Sequence, residues 1–439
     1  MEASNTAMSN VNGDLAFYSN SCFISNKLHQ QMDNGDDLNP GLMQQNWCQT
    51  GGNPLSQAII SLPVPNTPDQ YYVFHEGLNA WSTSSGSDFA PFNLYYSIIN
   101  MTENGGLGEV TTKNNIALAD TLFRGFISAV KHGNGRDWWI VVPKHDSNCY
   151  FKLLLSPNGI DSISQQCIGE PWGQFEDSSG QAVFSPNGTK YAIYQTCHGL
   201  DLFDFNRCTG EFSNAEYISM LPDSCEAGGA AFSPNSQFLY LTTTVNLYQF
   251  DLLSNDLLSS KTLIGTREEI PIPNQIQSFF QCQLAPDGKI YIGPDNSDGV
   301  VYSLHVINSP DSLGSSCDLV KRGVQLPGPI FSSLPSFPHF NLGILENEPC
   351  DTTVSIFSPS LQEEKITIYP NPFQETTTVE IKGNQKKLNI QIFDLLGRLK
   401  KSSILTNQLN HIDLSELKDG IYIFRIQLND SYFTKKVIK

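Results

Sequence analysis

Three copies of one turn motif constrain the fold of this chain more than any other feature of its sequence. The copies begin at Phe184, Phe232 and Leu284, so they lie 48 and 52 residues apart, and they read Phe-Ser-Pro-Asn-Gly, Phe-Ser-Pro-Asn-Ser and Leu-Ala-Pro-Asp-Gly. Proline sets φ at the first corner of a turn, and Asn-Gly or Asp-Gly permits the positive φ of a tight hairpin. A period of about 50 residues with several short strands per unit predicts a β-propeller.

Less regular strand-like segments precede these copies. The segments that we group into units are residues 15–19 with 71–77, residues 94–100 with 109–118, and residues 126–133, 136–144 and 148–157. The stretch at 327–343 is rich in Pro and aromatic residues and is predicted to close the ring against the first unit. No long segment keeps the helical period. We therefore predict an all-β chain with a six- to seven-bladed β-propeller over residues 1–345.

Charge is divided unequally between this body and the residues after it. Residues 365–439 hold 12 Lys and Arg against 7 Asp and Glu, which leaves 14 against 37 for the rest of the chain. A body this acidic is unlikely to bind nucleic acid, because nucleic acid requires clustered Lys and Arg. It is also unlikely to bind anionic lipid. Acidity also keeps an extracellular protein soluble. Binding of Ca²⁺ or of a basic ligand remains an alternative explanation of the charge.

The sequence contains neither a membrane span nor an export signal at its start. No apolar run reaches the length that a bilayer requires. Residues 1–6 lack the basic start and the apolar stretch of a secretory signal peptide. We therefore expect the chain to begin inside the mature protein and the first blade to be incomplete.

The ten cysteines lie before residue 351, and no two of them form a CxxC pair. This spacing disfavours zinc and, in an oxidising exterior, favours disulfides. Cys149 and Cys167 flank the turn at 156–159 almost symmetrically, so we predict that they pair across two strands. The sequence does not assign partners to Cys197, Cys208, Cys225, Cys282 and Cys317.

A second strand-rich segment occupies residues 365–439, and residues 346–364 are predicted to link it to the body. Its apolar and polar residues alternate in about seven short runs, which predicts a small C-terminal β-sandwich. Four motifs stand in order within it. Their key positions are Tyr369, Pro370, Asn371, Pro372, Phe373, Asp394, Gly397, Arg398, Gly420, Tyr422, Lys435 and Lys436. The segment resembles the type A-like C-terminal sorting domain of cargo exported by the bacterial type IX secretion system.

The body also resembles a known group. The matching pieces are residues 13–20 with His29 and 32–35, then 206–210, 230–241, 285–293, 304–314 and 334–343. They are similar to the WD40- and YVTN-like propellers of secreted proteins that commonly carry such a sorting domain. Together the two resemblances imply a protein secreted by, or held on the outer surface of, a diderm bacterium. They imply the type IX translocon and sorting machinery as partners and removal of most such domains on arrival, but they imply no activity.

Candidate chemical groups are few. GxSxG, HExxH and Walker motifs are absent from the sequence. Asp295, Ser297 and Asp298 alternate oxygen-bearing side chains before a glycine, which suits Ca²⁺, although the closing Glu of an EF-hand loop is missing and turns prefer the same residues. His75-Glu76 is interpreted as a polar pair at a strand end. Apart from this calcium site, we predict no cofactor.

The roles of the aromatic and histidine residues can each be interpreted in two ways. Trp81, Trp138, Trp139 and Trp172 suit either a sugar-stacking platform or blade cores, and cores are the more common use. His132, His145 and His198 would form a catalytic set only if they converged on the central funnel. We therefore predict a secreted binding or scaffold protein with a glycan or surface-peptide ligand. The alternative is a secreted hydrolase or lyase with its active site in the propeller funnel.

Overall fold

The computed structural model describes residues 4–10, 12–83, 86–172, 179–220, 226–267, 277–295, 298–345, 350, 366–381, 387–394, 398–418, 420–428 and 431–439. The chain divides into two compact units, Met1–Asp351 and Thr352–Lys439. We call the first unit the body and the second the C-terminal module. Of the predicted linker, only Cys350 lies within the described residues.

Six antiparallel sheets follow one another along the described part of the body, and we number them sheets 1 to 6. Sheet 1 consists of β1 (Thr6–Ser9), β2 (Leu15–Ser19) and β3 (Ile24–Asn26). Sheet 2 consists of β4 (Ile59–Pro63), β5 (Gln70–Glu76), β8 (Asn93–Asn100) and β9 (Glu109–Ala119). Between β5 and β8 the chain forms a separate two-stranded ribbon of β6 (Asn79–Thr83) and β7 (Gly86–Ala90). Sheet 3 consists of β10 (Ser128–Lys131), β11 (Trp138–Pro143), β12 (Cys149–Ser156) and β13 (Gly159–Cys167).

The last three sheets contain the repeated motif. Sheet 4 consists of β14 (Gln181–Phe184), β15 (Lys190–Gln195), β16 (Gly199–Asn206) and β17 (Glu211–Ile218). Sheet 5 consists of β18 (Gly228–Phe232), β19 (Phe238–Thr243), β20 (Asn246–Asp251) and β21 (Thr262–Thr266). Sheet 6 consists of β22 (Cys282–Leu284), β23 (Ile290–Ile292), β24 (Val301–Ile307) and β25 (Leu319–Ile330). The helical elements of the described residues include α1 (Leu42–Asn46) and two 3₁₀ turns, Leu258–Ser260 and Gly314–Cys317.

Each motif copy forms the turn between the first two strands of its sheet, as predicted. The N–H of Gly188 donates to Ser185 O at 2.8 Å, and the corresponding distances at Ser236 and Gly288 are 2.8 and 3.0 Å. The donor residues Gly188, Ser236 and Gly288 have φ of 73°, 62° and 79°. Glycine adopts such angles at no steric cost, and Ser236 is the one copy in which an ordinary side chain does so.

Consecutive sheets pack on one another through apolar clusters. Phe17 and Val73 share the cluster between sheets 1 and 2, and Phe74 and Trp138 share the cluster between sheets 2 and 3. Similar clusters join sheet 3 to 4, 4 to 5 and 5 to 6. Burying one large apolar side chain contributes about 1.5–3 kcal/mol, so these clusters provide most of the stabilisation between sheets.

Hydrogen bonds connect the chain that follows sheet 6 with the start of sheet 1. The N–H of Ser336 donates to Asn5 O at 2.8 Å, the hydroxyl of Thr6 donates to Ser336 O at 3.1 Å, and Asn5 Nδ2 donates to Ser333 Oγ at 2.6 Å. The predicted closing stretch, residues 327–343, therefore has two parts with different roles. Its first residues belong to β25, and the contact with sheet 1 comes from the residues after β25.

One predicted grouping differs from the structure. Residues 71–77 do not complete the first unit, because β5 pairs with β4 and β8 in sheet 2. The intervening residues carry α1 and the disulfide between Cys22 and Cys48. This long excursion separates sheet 1 from sheet 2, and the alternating pattern of a strand does not reveal which neighbour it will choose.

Disulfides tie the body at its edges. Cys149 and Cys167 are directly opposite one another on β12 and β13 and are linked. Cys208 is linked to Cys350, and Cys197 is also disulfide-bonded. Cys282 and Cys317 are free thiols in the interior.

Arg207 holds the chain that leads to Cys350. Its guanidinium is buried and donates to the carbonyl oxygens of Lys131 at 2.8 Å, His132 at 3.1 Å and Gly343 at 2.6 Å. The planar fork of an arginine suits several fixed acceptors at once. Residues 336–345, which we call the strap, are thereby fastened to the turn that follows β10.

Buried glutamine side chains join the first strands of different sheets. Gln181 on β14 accepts hydrogen bonds from the N–H groups of Ala230 at 3.1 Å and Cys282 at 2.9 Å, and donates to Cys282 O at 2.7 Å. Gln57 makes the same paired contact with the backbone of Ala182, at 2.7 and 3.0 Å. A side chain at Gly229 would collide with Gln181. The first strands of sheets 4, 5 and 6 and the residues just before β4 thus meet around these amides.

The C-terminal module contains two sheets that share one core. The described strands are β26 (Ile366–Tyr369), β27 (Thr376–Ile381), β28 (Leu388–Asp394), β29 (Leu399–Leu405), β30 (Leu409–Asp413), β31 (Ile421–Leu428) and β32 (Ser431–Ile438). Their order is β26-β27-β30 in one sheet and β29-β28-β31-β32 in the other. Val379 of the first sheet and Ile390 and Phe424 of the second are fully buried in the same cluster.

Replacing Gln181 with leucine removes three hydrogen bonds to buried backbone groups. Each unsatisfied buried group costs about 1–3 kcal/mol, so we expect Gln181→Leu to lower the free energy of unfolding by about 3 kcal/mol in urea denaturation. Gln165→Leu, the same change on the exposed face of β13, is the matched control. Equal effects of the two changes would contradict the bridging role of Gln181.

Candidate functional sites

The motif residues of the C-terminal module meet at the end of β32. Asn371 Nδ2 donates to Lys436 O at 3.2 Å, and its Oδ1 accepts from the N–H of Ile438 at 2.9 Å. Gly420 and Lys439 exchange backbone hydrogen bonds of 3.1 and 2.9 Å. Motifs that lie far apart in the sequence therefore depend on one another through the last strand.

A charged cluster lies on the same module. Asp394 contacts Arg398 Nε at 2.7 Å and Lys400 Nζ at 3.2 Å, and its other oxygen accepts from the N–H of Arg398 at 3.0 Å. These residues, with Gly420 and Tyr422, line a shallow cavity of about 480 Å³. The predicted motif residues Asp394, Arg398, Gly420 and Tyr422 are thus brought to one surface. Gly397 lies outside the described residues.

The remaining motif residues lie around the first strand of the module. Tyr369 is exposed at the end of β26, whereas Phe373 is buried in the core. The N–H of Phe373 donates to Ile438 O at 2.9 Å. Pro370 O accepts from the hydroxyl of Thr377 at 3.2 Å. Pro372 stands in the turn between β26 and β27, and Lys435 and Lys436 lie on β32.

The body contains a central cavity of about 260 Å³. The first strand of each of five sheets contributes at least one residue to its lining, among them Ile60, Ser128, Val183, Phe232 and Leu284. The turn prolines of the repeated motif and the first residues of the strap, 336–341, complete the wall. Sequence reasoning did not find this site. The available signal for the lining residues was the first strand of each repeat. In the sequence these strands look like ordinary apolar strands, and only the folded structure shows that they converge.

The pair His75 and Glu76 stands at the end of β5, as interpreted from the sequence, and both side chains are fully buried. His75 contacts Asn39 Oδ1 at 2.7 Å and Ser97 Oγ at 3.1 Å, and burial lowers its pKa to about 3. Glu76 Oε2 accepts from the N–H of Gly125 at 3.0 Å, while Oε1 has no partner among the described residues. Burial raises the pKa of Glu76 well above its ordinary value. Burial therefore favours the neutral form of both side chains.

The predicted calcium site is described only in part, because Ser297 lies outside the described residues. Asp298 accepts from the N–H of Ser278 at 2.6 Å, its hydroxyl at 2.8 Å, and the N–H of Asp295 at 3.2 Å. Burial raises the pKa of Asp298 against the opposing effect of these hydrogen bonds. Within the described ranges, no three acidic, His or Cys side chains form a metal-binding group. Calcium binding here stays a prediction.

Three of the four tryptophans considered from the sequence pack in the core. Trp138, Trp139 and Trp172 are buried between sheets, which favours the packing interpretation over a sugar platform. The side chain of Trp81 lies outside the described part of the chain. Trp172 Nε1 donates to Asp201 Oδ2 at 3.2 Å.

The three histidines are held in different places. His198 Nε2 lies 2.8 Å from Asp201 Oδ2, and His145 lies 2.9 Å from Asp146. Both stand in turns between the second and third strands of their sheets, whereas His132 is at the opposite end of sheet 3 and donates to Cys208 O at 3.0 Å. The central cavity is not lined by any of them.

Residues 367–439 match the sequence family described as the secretion system C-terminal sorting domain. This module marks the protein as secreted to the cell surface or the extracellular space, and it implies interaction with the secretion and sorting machinery. No curated protein sequence matches the chain. None of the helices among the described residues is long and apolar enough to cross a membrane.

Several solved structures are similar to most of this chain at low scores. A protein described as a 6-phosphogluconolactonase from Bacteroides uniformis ATCC 8492 is 12% identical, with 74% of this chain and 96% of that chain covered and a TM-score of 0.37. A luciferin-regenerating enzyme is 9% identical, with 76% and 96% covered and a TM-score of 0.36. A functionally unknown protein from Desulfotomaculum acetoxidans DSM 771 is 9% identical, with 70% and 91% covered and a TM-score of 0.32. Scores this low carry no inference about activity.

Glu76 and His75 should give stability opposite dependences on pH. Because the folded pKa of Glu76 is raised, its contribution is complete below the ordinary value of 4.5 and is lost as pH rises toward the raised pKa. Because the folded pKa of His75 is lowered, its contribution is complete above 6.5 and is lost as pH falls toward about 3. Each slope reaches about 1.4 kcal/mol per pH unit.

Urea unfolding of the intact protein and of Glu76→Gln at pH 5 to 8 tests the first slope. We expect the variant to lose stability less steeply than the intact protein as pH rises. Glu216→Gln, on the exposed face of β17, should leave the slope unchanged. Parallel curves for the intact protein and Glu76→Gln would show that Glu76 is charged in the folded state.

Proposed function

We propose that the protein is a binding or scaffold protein with a six-bladed β-propeller body, exported through the type IX secretion system. The observation that carries the proposal is the central cavity, on which the first strands of sheets 2 to 6 converge. Such convergence is the geometry of a propeller axis. Sheet 1 and the residues after β25 supply the sixth blade, because Ser333 and Ser336 bond to Asn5 and Thr6.

The ribbon of β6 and β7 belongs to an insertion within sheet 2 and is not a seventh blade. It stands between β5 and β8, which pair with each other directly. We assign residues 1–345 to the propeller, 346–364 to a linker and 365–439 to the sorting domain. The type IX translocon and its sorting machinery are the partners of the last segment.

A binding role fits the centre of the body better than a catalytic one. The amides of Gln57 and Gln181 are committed to backbone groups, and the cavity is lined mainly by apolar side chains. Hydrolysis requires a positioned nucleophile or activated water with an acid or base. A glycan, a peptide or another surface component is therefore the proposed class of ligand.

Export should depend on the C-terminal module. With a cleavable export signal placed ahead of residue 1, we expect the full chain to reach the cell surface or the medium, and the chain lacking residues 365–439 to remain in the periplasm. Fractionation and surface proteolysis measure the difference. Arrival of the truncated chain at the surface would contradict the assignment of the sorting domain.

Binding and catalysis can be separated with the purified full chain. We expect retention of at least one ligand class on glycan and peptide arrays, and no turnover of polysaccharide or peptide substrates over a broad panel. Loss of retention after heat unfolding controls for non-specific adsorption. Turnover of any substrate would replace the binding proposal with the alternative of a hydrolase or lyase.

A further inference from the structure

We propose that a shallow depression formed by Phe92, Thr121, His145 and Asp146 binds a neutral sugar ring of a glycan. We call it the loop depression, because its four residues lie on loops of sheets 2 and 3, at the end opposite to the turn between the first two strands of each sheet. The inference adds a second site to the central cavity, and it rests on the proposed binding function for its class of ligand.

Backbone hydrogen bonds hold the three segments of the loop depression together. The N–H of Asp120 donates to Phe92 O at 3.2 Å, and the N–H of His145 donates to Thr121 O at 3.2 Å. The N–H of Phe92 donates in turn to Asn79 Oδ1 at 3.2 Å. The four lining residues are therefore placed by the fold of two sheets and not by a single loop.

The loop that carries His145 and Asp146 is braced at its base. The N–H of Lys144 donates to Cys149 O at 2.9 Å, and Cys149 is linked to Cys167. Asp146 has a φ of 47°, a left-handed conformation that Asp and Asn tolerate better than most side chains. Such a preformed site loses less conformational entropy when a ligand binds.

The composition of the lining suits a sugar. One aromatic ring and three polar side chains form the loop depression, and Phe92 is 37% exposed, so a ligand can reach its ring from solvent. A sugar ring has an apolar C–H face and a rim of hydroxyl groups, which match an aromatic face and polar neighbours. An apolar peptide side chain would gain less here, because three of the four lining residues are polar.

The polar side chains offer hydrogen-bonding groups to the hydroxyls of a sugar. One carboxylate oxygen of Asp146 lies 2.9 Å from His145 Nδ1, and the Asp146 side chain is 48% exposed. Among the residues that the structure describes, neither its other oxygen nor the hydroxyl of Thr121 makes a hydrogen bond. Both groups are accessible to a ligand, and hydrogen bonds to a carboxylate are stronger than those between neutral groups.

The charges at the loop depression favour a neutral ligand. Lys144 of the same loop is paired with Asp120 at 2.9 Å, and the described lining contains no Lys or Arg. A uronate would bring its carboxylate toward Asp146 without meeting a free cation there, which is unfavourable. The excess of acidic residues in the body opposes anionic ligands at longer range as well.

The size of the loop depression suits one sugar residue and part of the next. An apolar cavity of about 150 Å³ holds benzene, which is a six-membered ring without substituents. The loop depression measures about 410 Å³, which leaves room for roughly one or two rings with their hydroxyl groups. The remaining residues of a longer glycan would stay in solvent.

Calorimetric titration of the full chain with neutral tetrasaccharides of glucose, galactose and mannose, and with tetragalacturonate, tests the proposal. We expect saturable binding of at least one neutral tetrasaccharide and more than tenfold weaker binding of tetragalacturonate. Phe92→Ala should weaken the neutral complex about tenfold because the stacking face is lost, whereas Phe92→Trp should preserve binding. Asp146→Asn, which tolerates the same φ, should weaken it about three- to tenfold.

Phe331→Ala and Asp161→Asn are the matched controls, because both residues are exposed and neither lines the loop depression. Circular dichroism establishes that each variant is folded. Absence of saturable binding of every neutral tetrasaccharide, or equal binding by the intact chain and folded Phe92→Ala, would overturn the proposal. Retention on the peptide arrays without binding of any saccharide would overturn the loop depression alone and leave the proposed binding function standing.

Discussion

The body can form only if the free edges of its first strands find hydrogen-bond partners. A first strand has a partner strand on one side only, so its other edge presents unpaired N–H and C=O groups. Gln181 meets such groups on Ala230 and Cys282, and Gln57 meets them on Ala182. Without these amides, convergence of the strands would leave several buried groups unsatisfied at about 1–3 kcal/mol each.

The same amides fit the binding role that we propose for the centre. They use their own hydrogen-bonding capacity on the backbone, and what remains between them and the repeated turns is a mainly apolar space. The strap closes that space from the side and is fastened by Arg207 and by the disulfide that includes Cys350. The C-terminal module carries its own core and its own charged surface, and its role is export.

Prediction from the sequence succeeded where the controlling chemistry is local. The turns at 184–188, 232–236 and 284–288 follow from Pro and from Gly, Asn or Asp at fixed positions, and the structure contains all three. The prediction failed for residues 71–77, because the alternating pattern of a strand does not determine which other strand it pairs with. It also gave no sign that Glu76 would be fully buried, or that Gln181 and Gly229, which occupy the same position in successive repeats, form a matched pair.

The amino-acid sequence was enough to show that the chain is rich in short antiparallel strands, where its hairpins turn, and that its last residues resemble a sorting domain. These properties depend on neighbouring residues or on motifs that occur in a fixed order. The three-dimensional structure was needed to show which strands share a sheet and that five first strands line one cavity. Those outcomes depend on residues more than 200 positions apart, such as Ile60 and Leu284, meeting in space. Only packing of all the sheets together fixes such contacts.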